Sequence, residues 1–424
     1  MKVTRWVGAL AVLLATSVLF ASAQAPAPQA ADDPVRTLVG RLDLERYKAT
    51  IKGLTQFGDR RQGTDRNRAA TDWIEAQLKS YGCVNTERIT YEYAPQPRTP
   101  AAGAQETGAT ATGARGATGA PVAGAGGGRA GAPQGRGGRG GIPPKGSRGP
   151  TGVNNDPNRQ PDEKLRALDM QSSTPGPRDQ VFCTKIGTTR PEEMYIIGAH
   201  MDGLGYAEGA NDNASGTAIV MEMARIFSSP DVRTERSIRF ILWNNEETGL
   251  NGARAYVDQR RELQGKEDPA ASRKYPEPRW LGMIQHDMML YDHGMPREDG
   301  TLPREQRPEA DVNVEFAGTS KMAAESQALA WQLKAANDRY ATDFPVMVGN
   351  RMSNTDSVPF QDYVAAISLR EAERGSQVGS GWDPHWHQPT DLYATFSDKD
   401  FRLGLNAAQT TLAATAQLAG ATIK

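Results

Sequence analysis

The chain has 424 residues, with 49 basic and 50 acidic side chains and a formal net charge of -1. That composition excludes a collagen-like or wholly disordered protein, and the near-neutral balance leaves no global field to recruit nucleic acid or an anionic membrane. A sizeable core is possible at this length, so partners must be sought in local sites.

The first residues carry Lys2 and Arg5, then the apolar run Val7–Phe20, then Ala21, Ser22 and Ala23. This is the pattern of a secretory signal peptide, residues 1–23, cut near Ala23. The apolar run of 14 residues is short for a bilayer span of about 20, and no later stretch is long and apolar enough to cross. The expected product is exported, periplasmic or secreted, with no stable membrane insertion once the leader is removed. Residues 24–34 read as a disordered N-terminal segment and 35–424 as a single domain with one interruption.

Thr64–Tyr81 has the apolar spacing of an amphipathic helix closed by Gly82, and Val84–Tyr93 reads as a strand. From residue 95 to 160 the composition changes: residues 101–150 alone hold 17 glycines and 12 alanines, without hydrophobic period. Such a stretch cannot bury enough apolar surface to offset its ordering entropy, so a disordered surface insertion is expected. Its basic residues (Arg98, Arg115, Arg129, Arg136, Arg139, Lys145, Arg148, Arg159) outnumber Glu106 and Asp156. An arginine-glycine arm for RNA is one reading; export argues for a solvated loop instead.

The next strand, Gln180–Ile186, forms a hairpin with Val84–Tyr93, the insertion being its enlarged tip. The two cysteines, Cys83 and Cys183, are too few for a disulfide framework or a thiolate metal site. In an oxidising compartment they could form one bridge tying the roots of the insertion; two buried free thiols is the other reading. Met194–Ala199, Ser237–Trp243, Trp280–Ile284 and Ala365–Leu369 are short apolar runs of the kind central parallel strands show. Ser215–Phe227, Gly249–Leu263, Lys321–Tyr340 and Asp398–Ala419 read as helices between and after them. The expected fold is α/β, a three-layer sandwich whose mixed, mostly parallel central sheet is flanked by helices.

In open α/β sheets the functional crevice lies beyond the carboxyl ends of the strands, and polar residues recur there. His200 and Asp202 follow the Met194 strand, Glu246 and Glu247 follow Trp243, Asp287 follows the Trp280 strand, and His385 and His387 lie in the loop after Leu369. Asp212 sits just ahead of the Ser215 helix, where it could also serve as a cap. Imidazoles and carboxylates together suit zinc. A close pair of metals would need a bridging carboxylate, and can both activate water and clamp a carbonyl.

The pieces GAHMDG, GANDNASG, NNEETGLNGARAYV, HDM and PHWHQPTD, in that order, resemble the co-catalytic zinc aminopeptidases, whose relatives include glutamate carboxypeptidase, glutaminyl cyclase and the non-catalytic transferrin receptor. Carried over position by position, the resemblance implies two zinc ions per chain. His200 and Asp287 would hold one, Glu247 and His387 the other, and Asp212 would bridge them. Glu246 would be the general base and the Asp202 carboxylate would fix the His200 imidazole without touching metal. His385 competes with His387, and the spacing to Pro389 and Asp391 favours His387; His286 and His293 match no ligand position. Trp386 departs from the tyrosine that many such enzymes carry there, and its indole N–H is a possible oxyanion or substrate contact. The implied activity is hydrolysis of N-terminal residues from peptides. A cyclase, a carboxypeptidase or dipeptidase, and an inactive binding scaffold are the alternatives.

Overall fold

The structure, a computed structural model, describes residues 33–93, 153–294, 299, 301, 303–352, 354–371 and 383–424. The expected leader lies outside them, as do residues 24–32 and 94–152. Three helices open the described chain: α1 (Pro34–Val39), α2 (Leu44–Thr55) and α3 (Asp65–Ser80). Two start on caps that the sequence supplies: Asp43 accepts from the Arg46 amide and Thr64 from the Asn67 amide. There follow β1 (Thr86–Tyr93), α4 (Glu163–Asp169), β2 (Gly176–Lys185), β3 (Arg190–His200), α5 (Gly216–Phe227), β4 (Val232–Arg233), β5 (Arg236–Trp243), α6 (Asn251–Arg260) and β6 (Arg279–His286). The chain ends through β7 (Val312–Phe316), α7 (Ala323–Tyr340), β8 (Val346–Gly349), β9 (Ala366–Arg370), α8 (Asp398–Ala419) and β10 (Thr422–Ile423).

Among the described residues, eight strands form one sheet in the order β1-β2-β5-β3-β6-β9-β7-β8. The central pairs β5·β3, β3·β6 and β6·β9 are parallel, as is β7·β8; β1·β2, β2·β5 and β7·β9 are antiparallel. The expected mixed sheet with helices on both faces is therefore observed. Strand periodicity sorts the core. In β3, Ile197 and Ala199 face the layer made by α2, α3, α5 and α8, while Met194 and Ile196 face the opposite layer with Tyr256 and Val257 of α6. In β5 the split is Ile238, Phe240 and Leu242 against Ile241 and Trp243. Because both faces are covered, these strands appear in the sequence as unbroken apolar runs.

Strands β7 and β8 were not anticipated. β8 is only four residues long at the sheet edge, and β7, VNVEF, carries polar residues at alternate positions although it is wholly buried. Its Asn313 Nδ2 donates to Glu315 at 2.8 Å, while Asn313 Oδ1 is buried without a hydrogen-bond partner among the described residues; polar residues at alternate positions mask a buried strand.

Cys83 and Cys183 are joined in a disulfide. It does not tie the roots of the insertion. The hairpin register runs from Tyr93↔Gly176 beside the insertion to Thr86↔Cys183 at the far end, so the bridge clamps the open end of β1 against β2. It closes a loop with a sequence separation of 100 residues. Replacing both cysteines by serine is expected to cost roughly 2–5 kcal/mol, read as a lower urea midpoint, with a steeper slope because the unfolded chain is no longer cross-linked. An unchanged midpoint would show that the clamp adds nothing.

Part of the stretch expected to be disordered, residues 153–160, is described. Residues 94–152 lie outside the described chain, but 153–160 are placed, with a short 3-10 helix at Pro157–Arg159 capped by Asp156. Gln160 is completely buried. Proline and polar residues hide this order from a periodicity test, since the segment is held by hydrogen bonds rather than an apolar face.

Candidate metal centre

Four strand ends deliver the polar cluster. His200 is the last residue of β3, Glu246 and Glu247 follow β5, Asp287 follows β6, and His387 lies in the loop between β9 and α8. Asp212 lies in an irregular turn ahead of α5 whose backbone leaves helical geometry at Asp212 and Asn213. The cap reading for Asp212 does not apply: Asn213 Oδ1 accepts the Gly216 amide at 3.0 Å, which leaves the Asp212 carboxylate for the cluster. A side chain at Gly216 would collide with the His286 carbonyl, its Cβ only 2.6 Å from that oxygen, so glycine lets α5 start this close to β6.

The Asp212 carboxylate lies between the two imidazoles. Oδ1 is 3.4 Å from His200 Nε2, and Oδ2 is 3.2 Å from His387 Nε2. His200 Nε2 also faces Asp287 Oδ1 at 3.4 Å, and His387 Nε2 faces Glu247 Oε2 at 2.9 Å. Within 4.8 Å, ligand-type atoms gather as His200, Glu246 and Asp287, and as His200, Asp212 and Glu247. Glu246, Asp287 and both histidines of the cluster are each under a tenth exposed.

All five histidines of the chain are described, and only two face this cluster. His286 is buried with Nε2 against Thr411 Oγ1 at 2.8 Å, and burial pushes it down to about 4. His293 pairs with Asp400 at 2.7 Å. His385 turns away: its Nδ1 meets Thr390 Oγ1 at 2.9 Å and its ring lies edge-on to Tyr291 and Phe396. His387, not His385, is the residue brought to Asp212. Trp386 is half-buried, with its ring 4.4 Å from that of His387.

Burial lowers the basicity of both cluster imidazoles, but the carboxylates outweigh it. Glu246, Asp287 and Asp212 hold His200 well above its ordinary value, while Glu247 and Asp212 push His387 up to about 10. Burial is also the main cause that pushes Glu247 up to about 7 and Glu246 well above the usual carboxylate range. So much buried negative charge calls for positive charge at its centre.

Two observations test whether a metal fits. Glu247 Oε1 is buried with no hydrogen-bond partner among the described residues, a free donor atom next to His387. His200 Nδ1 lies 3.0 Å from the Asp202 carbonyl oxygen; a carbonyl can only accept, so Nδ1 carries a proton and Nε2 is the nitrogen that can bind a cation. The donor set, two imidazoles with carboxylates, is that of zinc.

The Asp202 contact corrects an expectation. Its carboxylate was expected to fix the imidazole, but it stands 3.9 Å from Nδ1 and accepts the amides of Glu246 at 3.1 Å and Glu247 at 3.4 Å. The main-chain carbonyl orients His200, and the carboxylate positions the two glutamates instead. The physical reason is reach: at 3.0 Å the carbonyl is within hydrogen-bonding distance of Nδ1–H, and at 3.9 Å the carboxylate is not.

Other supporting residues left no motif. Arg370 Nη2 donates to Asp287 Oδ2 at 2.7 Å, so one oxygen of Asp287 faces the cluster and the other is fixed from β9. Both Asp391 oxygens accept main-chain amides, from Asn211 at 2.7 Å and Asp212 at 3.0 Å. Arg60, fully buried, donates to the carbonyls of Met201, Gly58, Glu208 and Gly209 at 2.6–2.8 Å. It thereby ties both ends of the loop between His200 and Asp212 to the turn after α2. Only the neighbouring strand-end pattern could have suggested Arg370; nothing local marks Arg60.

Comparison with known proteins supplies a family. The chain is 37% identical over 95 residues to the aminopeptidase YwaD of Bacillus subtilis, covering 22% of this chain and 20% of that one. It is 37% identical over 68 residues to leupeptin-inactivating enzyme 1 of Streptomyces exfoliatus, covering 16% of each. These alignments thus span a fifth or less of the relatives' own lengths. The aminopeptidase of Aneurinibacillus sp. strain AM-1 shares the fold at a TM-score of 0.53, with 19% identity over 90% of this chain and 95% of that one. The family model for peptidase family M28 matches residues 181–410, more than half of the 424 residues, and that span holds every residue of the cluster. The chain belongs to peptidase family M28.

Proposed function

We propose that the protein is an exported zinc aminopeptidase that takes two zinc ions per chain and releases N-terminal residues from peptides. The observation that carries this reading is the Asp212 carboxylate, which turns one oxygen to each of two separate imidazoles. His200 and Asp287 are assigned to one ion, Glu247 and His387 to the other, and Asp212 to both. Zinc, when bound, lowers the pKa of water towards about 7 and polarises a carbonyl.

The chain's own residues then divide the work. Glu246, buried beside His200 and raised above the usual carboxylate range, takes the proton of the attacking water and delivers it to the departing amine. The carboxylates around the centre hold the free α-amine of the substrate. Trp386 supplies an indole N–H to the developing oxyanion. Peptides are the partners; the charge balance offers nothing to nucleic acid. Residues 1–23 support export to the periplasm or beyond, and among the described residues no helix is long and apolar enough to cross a membrane. The aminopeptidase relatives support the N-terminal specificity, and the two complete half-sites favour it over a single-metal cyclase.

The test is turnover of aminoacyl p-nitroanilides by the purified protein, before and after chelator dialysis. Free-amine substrates are expected to be cleaved, N-acetylated ones not; dialysis should abolish turnover and zinc should restore it. Cleavage confined to N-blocked peptides, or formation of pyroglutamate without hydrolysis, would replace this reading with one of the rival activities.

A further inference from the structure

We infer that residues 153–160, just ahead of α4, form a strap that sets the position of His387, with Gln160 as its anchoring residue. This rests on the dinuclear reading above and says which of its two metal positions depends on the strap. The two histidines are held differently. His200 ends β3, paired in register with Trp243 of β5, and its carbonyl accepts from Thr217 Oγ1 at 2.8 Å. The sheet itself fixes it. His387 lies in a run of turns between residues 383 and 392, with a left-handed φ of +56°. Its place depends on what presses on that loop.

Asp391 holds the far end of the loop through the Asn211 and Asp212 amides, and the strap holds the stretch at His387 itself. The Asn154 amide donates to the His387 carbonyl at 2.9 Å. The Gln160 side-chain amide donates to the carbonyls of Tyr206 at 2.7 Å and Pro389 at 3.1 Å, and so staples the loop after His200 to the loop carrying His387. Gln160 is wholly buried, and its Oε1 accepts the Asp162 amide at 3.2 Å. Its own carbonyl accepts from Arg166 of α4 at 2.5 Å, which anchors the strap at its other end. Between the two stapled loops, Gly205 lies against the His387 carbonyl so closely that a Cβ would come within 2.6 Å of the oxygen. With φ at +99° it needs glycine for its conformation as well. Gln160 touches none of the proposed ligands and acts on the centre through the His387 backbone, as a positioning residue.

The experiment is calorimetric titration of zinc into chelator-stripped full-length protein, wild type against Gln160→Ala, Gln160→Met and Gln160→Glu. The glutamate variant keeps the acceptor for Asp162 and turns the donor into a carboxylate oxygen that repels the Tyr206 and Pro389 carbonyls; the methionine variant removes both polar atoms at similar length and adds no charge. Circular dichroism of the stripped proteins checks that each is folded. Wild type should bind two zinc ions. In all three variants one should bind as in wild type and the other roughly tenfold or more weakly, the scale on which supporting contacts act. In a His387→Ala background, Gln160→Ala should leave the remaining ion unaffected. Unchanged affinities in the variants, or equal weakening of both ions, would overturn the strap. Fewer than two ions in wild type would overturn the dinuclear reading, and the strap with it.

Discussion

Glu246→Gln is expected to lower kcat on an aminoacyl p-nitroanilide by roughly 10²–10⁴-fold, the usual contribution of a positioned acid-base group, with zinc content unchanged. The carboxamide has the same shape and cannot exchange a proton with water or amine. Little else should move, because the backbone of Glu246 is held by Asp202 through its amide at 3.1 Å, a contact the substitution leaves in place. The measurement pairs steady-state kinetics with metal analysis on the same preparation. Glu246 also falls within 4.8 Å of ligand atoms of His200 and Asp287, so metal content separates the base from a ligand. A variant that loses one zinc would make Glu246 a ligand and leave the base unassigned. A variant with full zinc and full turnover would remove it from the chemistry.

Asp212→Asn should have the larger effect on the metals. Asp212 is the residue whose two oxygens face both imidazoles, and the substitution removes its charge while leaving the main-chain amide on Asp391 at 3.0 Å. Both ions should weaken by more than the roughly 10–100-fold that supporting residues cost, and peptidase turnover should fall below detection. Thermal unfolding offers an independent readout. Zinc at about a hundred times its Kd stabilises a folded binder by roughly 2.7 kcal/mol per site, so wild type should show a clear rise in Tm that the variant lacks. His387→Ala should show a partial rise, since His200, Asp212 and Asp287 remain. If Asp212→Asn still took up two zinc ions with wild-type affinity, the carboxylate would not be a bridge.

Much of the scaffold could be read before any coordinates. Met194–Ala199 and Ser237–Trp243 announce themselves as central strands because a strand covered on both faces has no polar alternation to break its apolar run. The candidate ligands were legible for a related reason. Each sits directly after such a run, at the strand end where an open α/β sheet forms its crevice. Where a buried segment carries polar residues, the signal fails. β7 hides behind Asn313 and Glu315, and residues 153–160 hide behind a composition that continues the insertion. Arg60 and Arg370 are out of reach for another reason: each acts on groups far away along the chain, Arg60 on Met201 and Gly209, Arg370 on Asp287.

The amino-acid sequence by itself determines the layered α/β class, the existence of a metal-binding type of side-chain set and the interrupted hairpin, because periodicity, residue chemistry and composition are properties of short stretches. Only the tertiary structure decides that Asp212 stands between His200 and His387, that a carbonyl rather than a carboxylate orients His200, and that the disulfide clamps the open end of the hairpin. Those outcomes turn on strand register for the disulfide and on under an ångström for His200, where the carbonyl lies at 3.0 Å and the carboxylate at 3.9 Å. Whether the bond partner is two residues away, as Asp202 is from His200, or 180, as Asp391 is from Asn211, the energy of a hydrogen bond depends on distance and angle, quantities that no local pattern encodes.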